Sequence, residues 1–372
     1  MVLLLVNTNC YAGNEEKIKE QENTFGINDF INNSKKYINE DFMNKEDIKD
    51  ILDSAIKGQV DNKFFTDNLL GIFGKQTKGI LKSLASILAI IVIHSILKSI
   101  SDSLENETIS KLIYYIQYIL IATIIMNDFA GVIDMVKEAT MNMVGFINVL
   151  TPLLTSLMLF TGSITSTSML EPVIIFATNF IGNTIQNILI PIVLVIASFS
   201  IISKISDKII IGKITKFMKS GVIWTLGIIL TLFVSVVSLE GTLSSSVDGV
   251  TAKTAKAVVS SAIPIVGKIL GDAVDSVLGC GIILKNAVGI VGVIIIVSIC
   301  IVPILKLAIT SISYKLIAGI CEPIADKKIL ELFEQIGDIF KILLAILSSV
   351  AVLMIIGVTL VIRISNSGMM YR

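Results

Sequence analysis

The chain has 372 residues, 53% hydrophobic and only 16% charged, with a mean hydropathy of +0.84. Soluble domains carry about 25% charged residues, so most soluble enzymes are excluded. Thirty basic and thirty acidic residues cancel, leaving no net field to gather nucleic acid or acidic ligands.

The charges are segregated along the chain. Asn14 to Gly79 holds 13 acids and 10 bases, whereas the 293 residues beyond hold 17 and 20, which implies water as the first solvent and lipid as the second. Met1 to Val6 is apolar but too short to span a membrane, and Cys10-Tyr11-Ala12 is small enough for signal peptidase. Residues 1–12 are therefore expected to be a signal peptide or its remnant, despite the lack of a basic residue before the apolar run. The chain after residue 12 then begins outside the cytoplasm. Residues 13–79 form a polar segment in which Ile48, Ile51, Leu52 and Ile56 fall at helical spacing, so one or two short amphipathic helices are expected. A segment of this size with few large apolar groups builds only a marginal core alone. It reads either as a docking arm or as a loosely ordered spacer.

Residues 80–372 read as a multipass domain. A helix needs about 20 apolar residues to cross the hydrocarbon of a bilayer, and six stretches qualify: 80–100, 110–127, 172–202, 220–239, 286–306 and 341–363. A seventh, 143–161, is long enough but carries Asn148, Thr151, Pro152, Thr155 and Ser156, so it either crosses or dips and returns. Cytoplasmic loops collect Lys and Arg. If the chain starts outside and 143–161 does not cross, 12 such residues fall inside and 7 outside; if it crosses, the count is 8 against 11. The charge rule favours six spans.

Motifs for chemistry are sparse. Gly71-Ile-Phe-Gly74-Lys75-Gln76-Thr77 lacks the spacing of a phosphate loop, because the first glycine lies too close and Gln76 separates Lys75 from Thr77. Cys10, Cys280, Cys300 and Cys321 have no ligand or disulfide spacing. His94, the single histidine, lies in the first span; it bonds to a neighbouring helix or relays protons, and the first account is favoured because its own span holds no carboxylate. With one histidine and no nucleophile motif, a histidine-based triad is not expected. No catalytic, cofactor or metal residue is assigned.

Three regions stand out instead. Asn179, Asn183 and Gln186 fall within about 60° of one another on a helix, with Asn187 about 40° further around. Amides facing lipid would lack partners, so this stripe is expected to face protein or water. Pro191, a turn later, removes a backbone donor and should bend the helix. Between Glu240 and Gly292 small residues dominate: Gly267 and Gly271 have GxxxG spacing, and Gly279, Gly281, Gly289 and Gly292 continue the small surface. Lys253 with Lys256, and Asp272 with Asp275, stand three residues apart on helices separated by Pro264, which suggests a hairpin that is either a packing pair or a gate. Finally, Asp326 to Phe340 is amphipathic, with Lys327, Lys328, Glu331, Glu334 and Asp338 polar and Ile329, Leu332, Phe333, Ile336 and Ile339 apolar. It would rest on headgroups or meet a cytoplasmic partner.

The stretch Ser246-Val-Asp248-Gly249-Val-Thr251-Ala-Lys253-Thr-Ala255-Lys256, continuing through Pro264-Ile-Val-Gly267, Gly271-Asp272-Ala-Val-Asp275-Ser-Val-Leu-Gly279 and Leu284-Lys285-Asn286-Ala287-Val-Gly289, resembles the stage III sporulation protein AE family of endospore-forming bacteria. So do Glu171-Pro172 and the final Met369-Met370-Tyr371-Arg372. The resemblance covers roughly residues 65–372. It implies a multipass protein of the mother-cell membrane around the forespore, in a channel or feeding apparatus joined to a forespore-side Q component. The implied partners are other stage III sporulation A-operon proteins, including a cytoplasmic ATPase. It implies no catalytic residues.

The expected protein is all-α and polytopic, with six or seven transmembrane helices and a small extracytoplasmic helical N-terminal arm. It is expected to be a non-enzymatic, membrane-embedded scaffold or conduit, in contact with lipid, without nucleic acid or cofactor, and able to form a homo-oligomer. A self-contained secondary transporter or permease and a purely structural anchor are the alternatives; the first predicts paired charges at mid-span, and the spans offer few.

Overall fold

A long apolar segment without turn residues can satisfy its backbone N–H and C=O groups only within itself, and a helix does this residue by residue. The computed structural model of the chain, which describes residues 15–45, 47–58, 62–103, 107–205, 211–262 and 266–370, is built almost wholly on that solution. Three short helices, α1 (Glu15–Thr24), α2 (Ile27–Ser34) and α3 (Asp47–Ile56), precede α4 (Asn62–Ser103) and α5 (Glu107–Phe160). Then come α6 (Ile164–Thr184), a π-turn (Ile185–Leu189), α7 (Ile190–Ile202), α8 (Gly212–Ala262), α9 (Val266–Cys321) and α10 (Lys327–Met370). No strand occurs among the described residues.

Six of these rods are long and apolar enough to cross a membrane, α6 and α7 counting as one. The all-α polytopic fold expected from composition is the fold adopted, with six rods of spanning length among the described residues. The stretch 143–161 is not a separate rod and contains no re-entrant turn: up to Phe160 it is the second half of α5, a 54-residue helix without a break. Its polar residues explain why no turn forms there. Thr151 and Ser156 each donate to the carbonyl four residues back, at 2.8 Å, and Thr155 donates to the Pro152 carbonyl at 3.0 Å. Hydroxyls satisfied by their own helix need neither water nor a loop.

The spans are unequally enclosed. The α9 span is 78% buried, against 25% for the span of α4 and 28% for that of α8, so α9 is the central rod and α4 and α8 are peripheral. Close approaches set the packing: a Cβ on Gly281 would lie 2.8 Å from the Phe160 ring, one on Gly289 2.1 Å from Ile362, and one on Gly292 2.6 Å from Leu150. The small-residue row of α9 is thus a packing surface for α5 and α10. Gly279, at the start of that row, meets nothing within 4 Å.

The arm docks on this bundle. Ile27, Phe30, Ile31, Phe42, Met43, Ile48 and Leu52 are buried. Phe25 meets Phe160 edge-on at 5.0 Å, and Phe30 and Tyr37 reach Phe146 at 6.2 and 6.1 Å. Gln21 Nε2 donates to the Val277 carbonyl at 3.2 Å. A segment too small to build a core of its own thereby borrows that of α5 and α9. Residues 62–79 belong to the same helix as the first apolar span. The expected signal segment, 1–12, lies outside the described residues.

Candidate functional site

The four-amide stripe lies on the α6 rod. Asn179 pairs reciprocally with Asn148 of α5, each amide nitrogen donating to the other's oxygen at 3.2 and 3.3 Å; Asn179 also donates to the Ile175 carbonyl at 2.7 Å. Asn187 donates to Asn183. Asn179, Asn183 and Asn187 are exposed and Gln186 is half-buried. The row therefore looks outward from the bundle, and among the described residues Asn148 comes from another helix to meet it. Gln186 and Asn187 sit inside the π-turn, closed by the Ile190 N–H donating to the Ile185 carbonyl. Pro191, lacking an N–H, follows directly; widening the preceding turn is how the rod accommodates it.

A second constellation gathers at the end of the bundle where α4 meets α5, α7 meets α8 and α9 meets α10. His94, 3% exposed, has its Nε2 3.1 Å from Asp326 Oδ2. Lys204 pairs with Glu331, Lys315 with Asp338 at 2.7 Å, and Lys328 stands 5.8 Å over the Tyr114 ring. Tyr114 donates to the Lys204 carbonyl at 2.9 Å and Tyr118 to that of Ile201. Residues 327–340 are the first part of α10, with Asp326 in the turn before it, and the apolar residues Ile329, Leu332, Phe333, Ile336, Ile339 and Phe340 are 0% exposed. Glu331, Asp338 and Lys328 are engaged within the chain, while Lys327 and Glu334 are exposed.

At the opposite end, α6 starts after a turn with Gly162 at φ 87. Its first N–H groups find no cap in Ser163. They are met by Asp248 of α8 instead: the Thr165 N–H donates to Oδ1 at 2.8 Å and the Ser166 N–H to Oδ2 at 2.9 Å. A carboxylate at a helix N-terminus satisfies free donors and opposes the helix dipole, and here it also locks the register of α8 against α6. Helices α8 and α9 continue past this contact. The side chains of Lys253, Lys256, Gly267, Gly271, Asp272 and Asp275 on that continuation lie outside the described residues, as does Pro264.

Between α4, α5 and α9 lies a cavity of about 330 Å³ lined in part by Gln76, Asn127, Asp128, Lys306, Thr310 and Tyr314. The Tyr314 hydroxyl donates to Asp128 at 3.0 Å. A second space of about 10 Å³, between Ile147, Thr178, Phe233 and Met354, is at the lower limit for holding one water.

The amide stripe is legible in the sequence; the partners that fix these sites are not. Asn148 stands out only as an interruption of an apolar run, and nothing ties Asp326, Asp248 and Asp128 to His94, the α6 N-terminus or Tyr314. No short-range signal exists for contacts between residues 232, 83 and 186 positions apart.

Six apolar rods with self-satisfied backbones, and a polar row on the outside of one of them, define the molecule as a multipass helical membrane protein. The chain belongs to the stage III sporulation protein AE family, whose model matches residues 46–365. It is similar to the stage III sporulation protein AE of Bacillus subtilis (strain 168), with 30% identity over 291 residues that cover 78% of this chain and 73% of that relative. The family gives it a role in sporulation. No solved structure matches the chain.

Proposed function

We propose that the chain is a membrane-embedded component of the channel or transport complex that links mother cell and forespore, and that it supports forespore development from the mother-cell membrane. Family membership supports the developmental role. The observation that carries the rest is the outward amide row of α6, Asn179, Asn183 and Asn187: a polar strip on the outside of an apolar rod suits a subunit that is completed by protein around it, not a carrier sufficient in one copy. In this reading the protein is not an enzyme. Its arm lies on the extracytoplasmic side, and the lysine-rich end with Lys204, Lys213, Lys327 and Lys328 lies in the cytoplasm. There the exposed Lys327 and Glu334 are available to a cytoplasmic ATPase, and the arm side faces the other stage III sporulation A-operon products and, through them, the forespore-side Q component.

Deleting the gene from its own sporulating host tests this. Forespore development should arrest, and the tagged chain should co-purify from sporulating membranes with products of its operon. Normal spore yield, or a chain that purifies alone and moves solute in liposomes by itself, would refute the proposal.

A further inference from the structure

We infer that the outward face of α6 around the π-turn, with Asn183, Gln186 and Asn187 at its centre, is where a second copy of this chain packs. The surroundings of the row are apolar. On the same face Phe176, Phe180 and Ile188 are 73%, 52% and 51% exposed, and Phe176 stacks on Phe180 at 6.2 Å. The contact of Asp248 with Thr165 and Ser166 fixes the antiparallel register of α8, and Phe233 shares a small cavity with Ile174 and Thr178. The row therefore runs alongside the exposed apolar positions Ile223, Trp224, Ile228 and Leu232 of α8. Residues 172–202 hold no charged side chain. Amides at this depth, left to acyl chains, would keep their donors and acceptors unmet.

The row is also incomplete in a specific way. Asn187 Nδ2 donates to Asn183 Oδ1, which leaves the Asn183 amide nitrogen and the Asn187 amide oxygen without partners among the described residues; Gln186 makes no bond there either. The unmet groups are a donor on one residue, an acceptor four residues on and a glutamine offering both. Two copies inserted in the same sense are related by a two-fold axis along the membrane normal, which brings Asn183 beside Asn183 of the other copy, where each free amide nitrogen can donate to the second lone pair of the other's Oδ1. A charged partner would find nothing on this face to read. The π-turn contributes by bringing Asn187 back into line with Asn183, where the two form one polar spot. Pairing of two copies rests on these side chains alone and survives failure of the sporulation-complex reading.

The test uses the full chain in native membranes. Asn183→Cys should cross-link to a product of twice the chain mass under mild oxidation, above the background of the unsubstituted chain, whereas Ile93→Cys, equally outward but on the remote α4 and 58% exposed, should stay at background. In lipid nanodiscs, joint replacement of Asn183 and Asn187 by Leu should weaken self-association about tenfold, and Asn183→Gln should retain it. Both positions are exposed in a single copy, so folding is not at stake. An Asn183→Cys chain that cross-links no better than Ile93→Cys, or only to a different protein, overturns the inference, as does undiminished self-association of the double Leu variant.

Discussion

At the scale of single residues, His94 shows how a buried polar group is held by position more than by strength. Its ring is 3% exposed, Nε2 faces Asp326, and Nδ1 has no partner among the described residues. Removing the carboxylate leaves a second ring nitrogen buried and unmet, which costs about 1–3 kcal/mol, whereas replacing the ring by an apolar group of similar bulk removes the need along with the bond. Asp326→Ala should therefore lower the unfolding midpoint in detergent clearly more than His94→Leu. Equal losses would mean that packing around the ring, not the bond, sets its contribution. The sequence offers the histidine and not its partner: the first span holds no carboxylate of its own, and the one that meets the ring arrives from the turn before α10, 232 residues away.

At the scale of elements, glycine spacing reveals a close-packed surface without revealing which glycines touch. Along α9 the distinction is geometric. A Cβ on Gly289 would sit 2.1 Å from Ile362 Cδ1 and 2.6 Å from its Cγ1, while one on Gly279 meets nothing within 4 Å. Gly289→Val should force α9 from α10 at a cost of about 1–3 kcal/mol. Gly279→Ala should be neutral or stabilising by up to about 1 kcal/mol, because alanine is the better helix former. Thermal unfolding of the two variants in the same detergent checks both signs. The same limit explains α5. Asp134, Lys137 and Glu138 interrupt its apolar run like a loop, yet interruption by charge is not a turn: the outward side of a helix tolerates it, with Asp134 and Glu138 exposed. The hydroxyls further along close on their own backbone. Hydropathy counts residues; it does not see where a hydroxyl donates.

At the scale of the whole molecule, an even number of rods returns the last to the side of the arm, and the contacts sort the turns into two groups. Phe25 on Phe160 puts the arm beside the turn before α6. At the far end, the pairs Lys204–Glu331 and His94–Asp326 draw the turns flanking α4, α7 and α10 together. Single cysteines at exposed Asn33 and Ile164 should therefore react with a membrane-impermeant maleimide from one side, and those at exposed Lys213 and Glu322 from the other. The buried Cys280, Cys300 and Cys321 should add little background. If 143–161 made a crossing of its own, every later turn would change sides, and Lys213 would label together with Asn33; that result would break the six-rod arrangement. Lysine bias selects the same arrangement from the sequence by 12 residues to 7. The lysines that this rule gathers at one end also pair there, Lys204 with Glu331 and Lys315 with Asp338, so the set on which the expected orientation rests is also the set that fastens α10 to its neighbours.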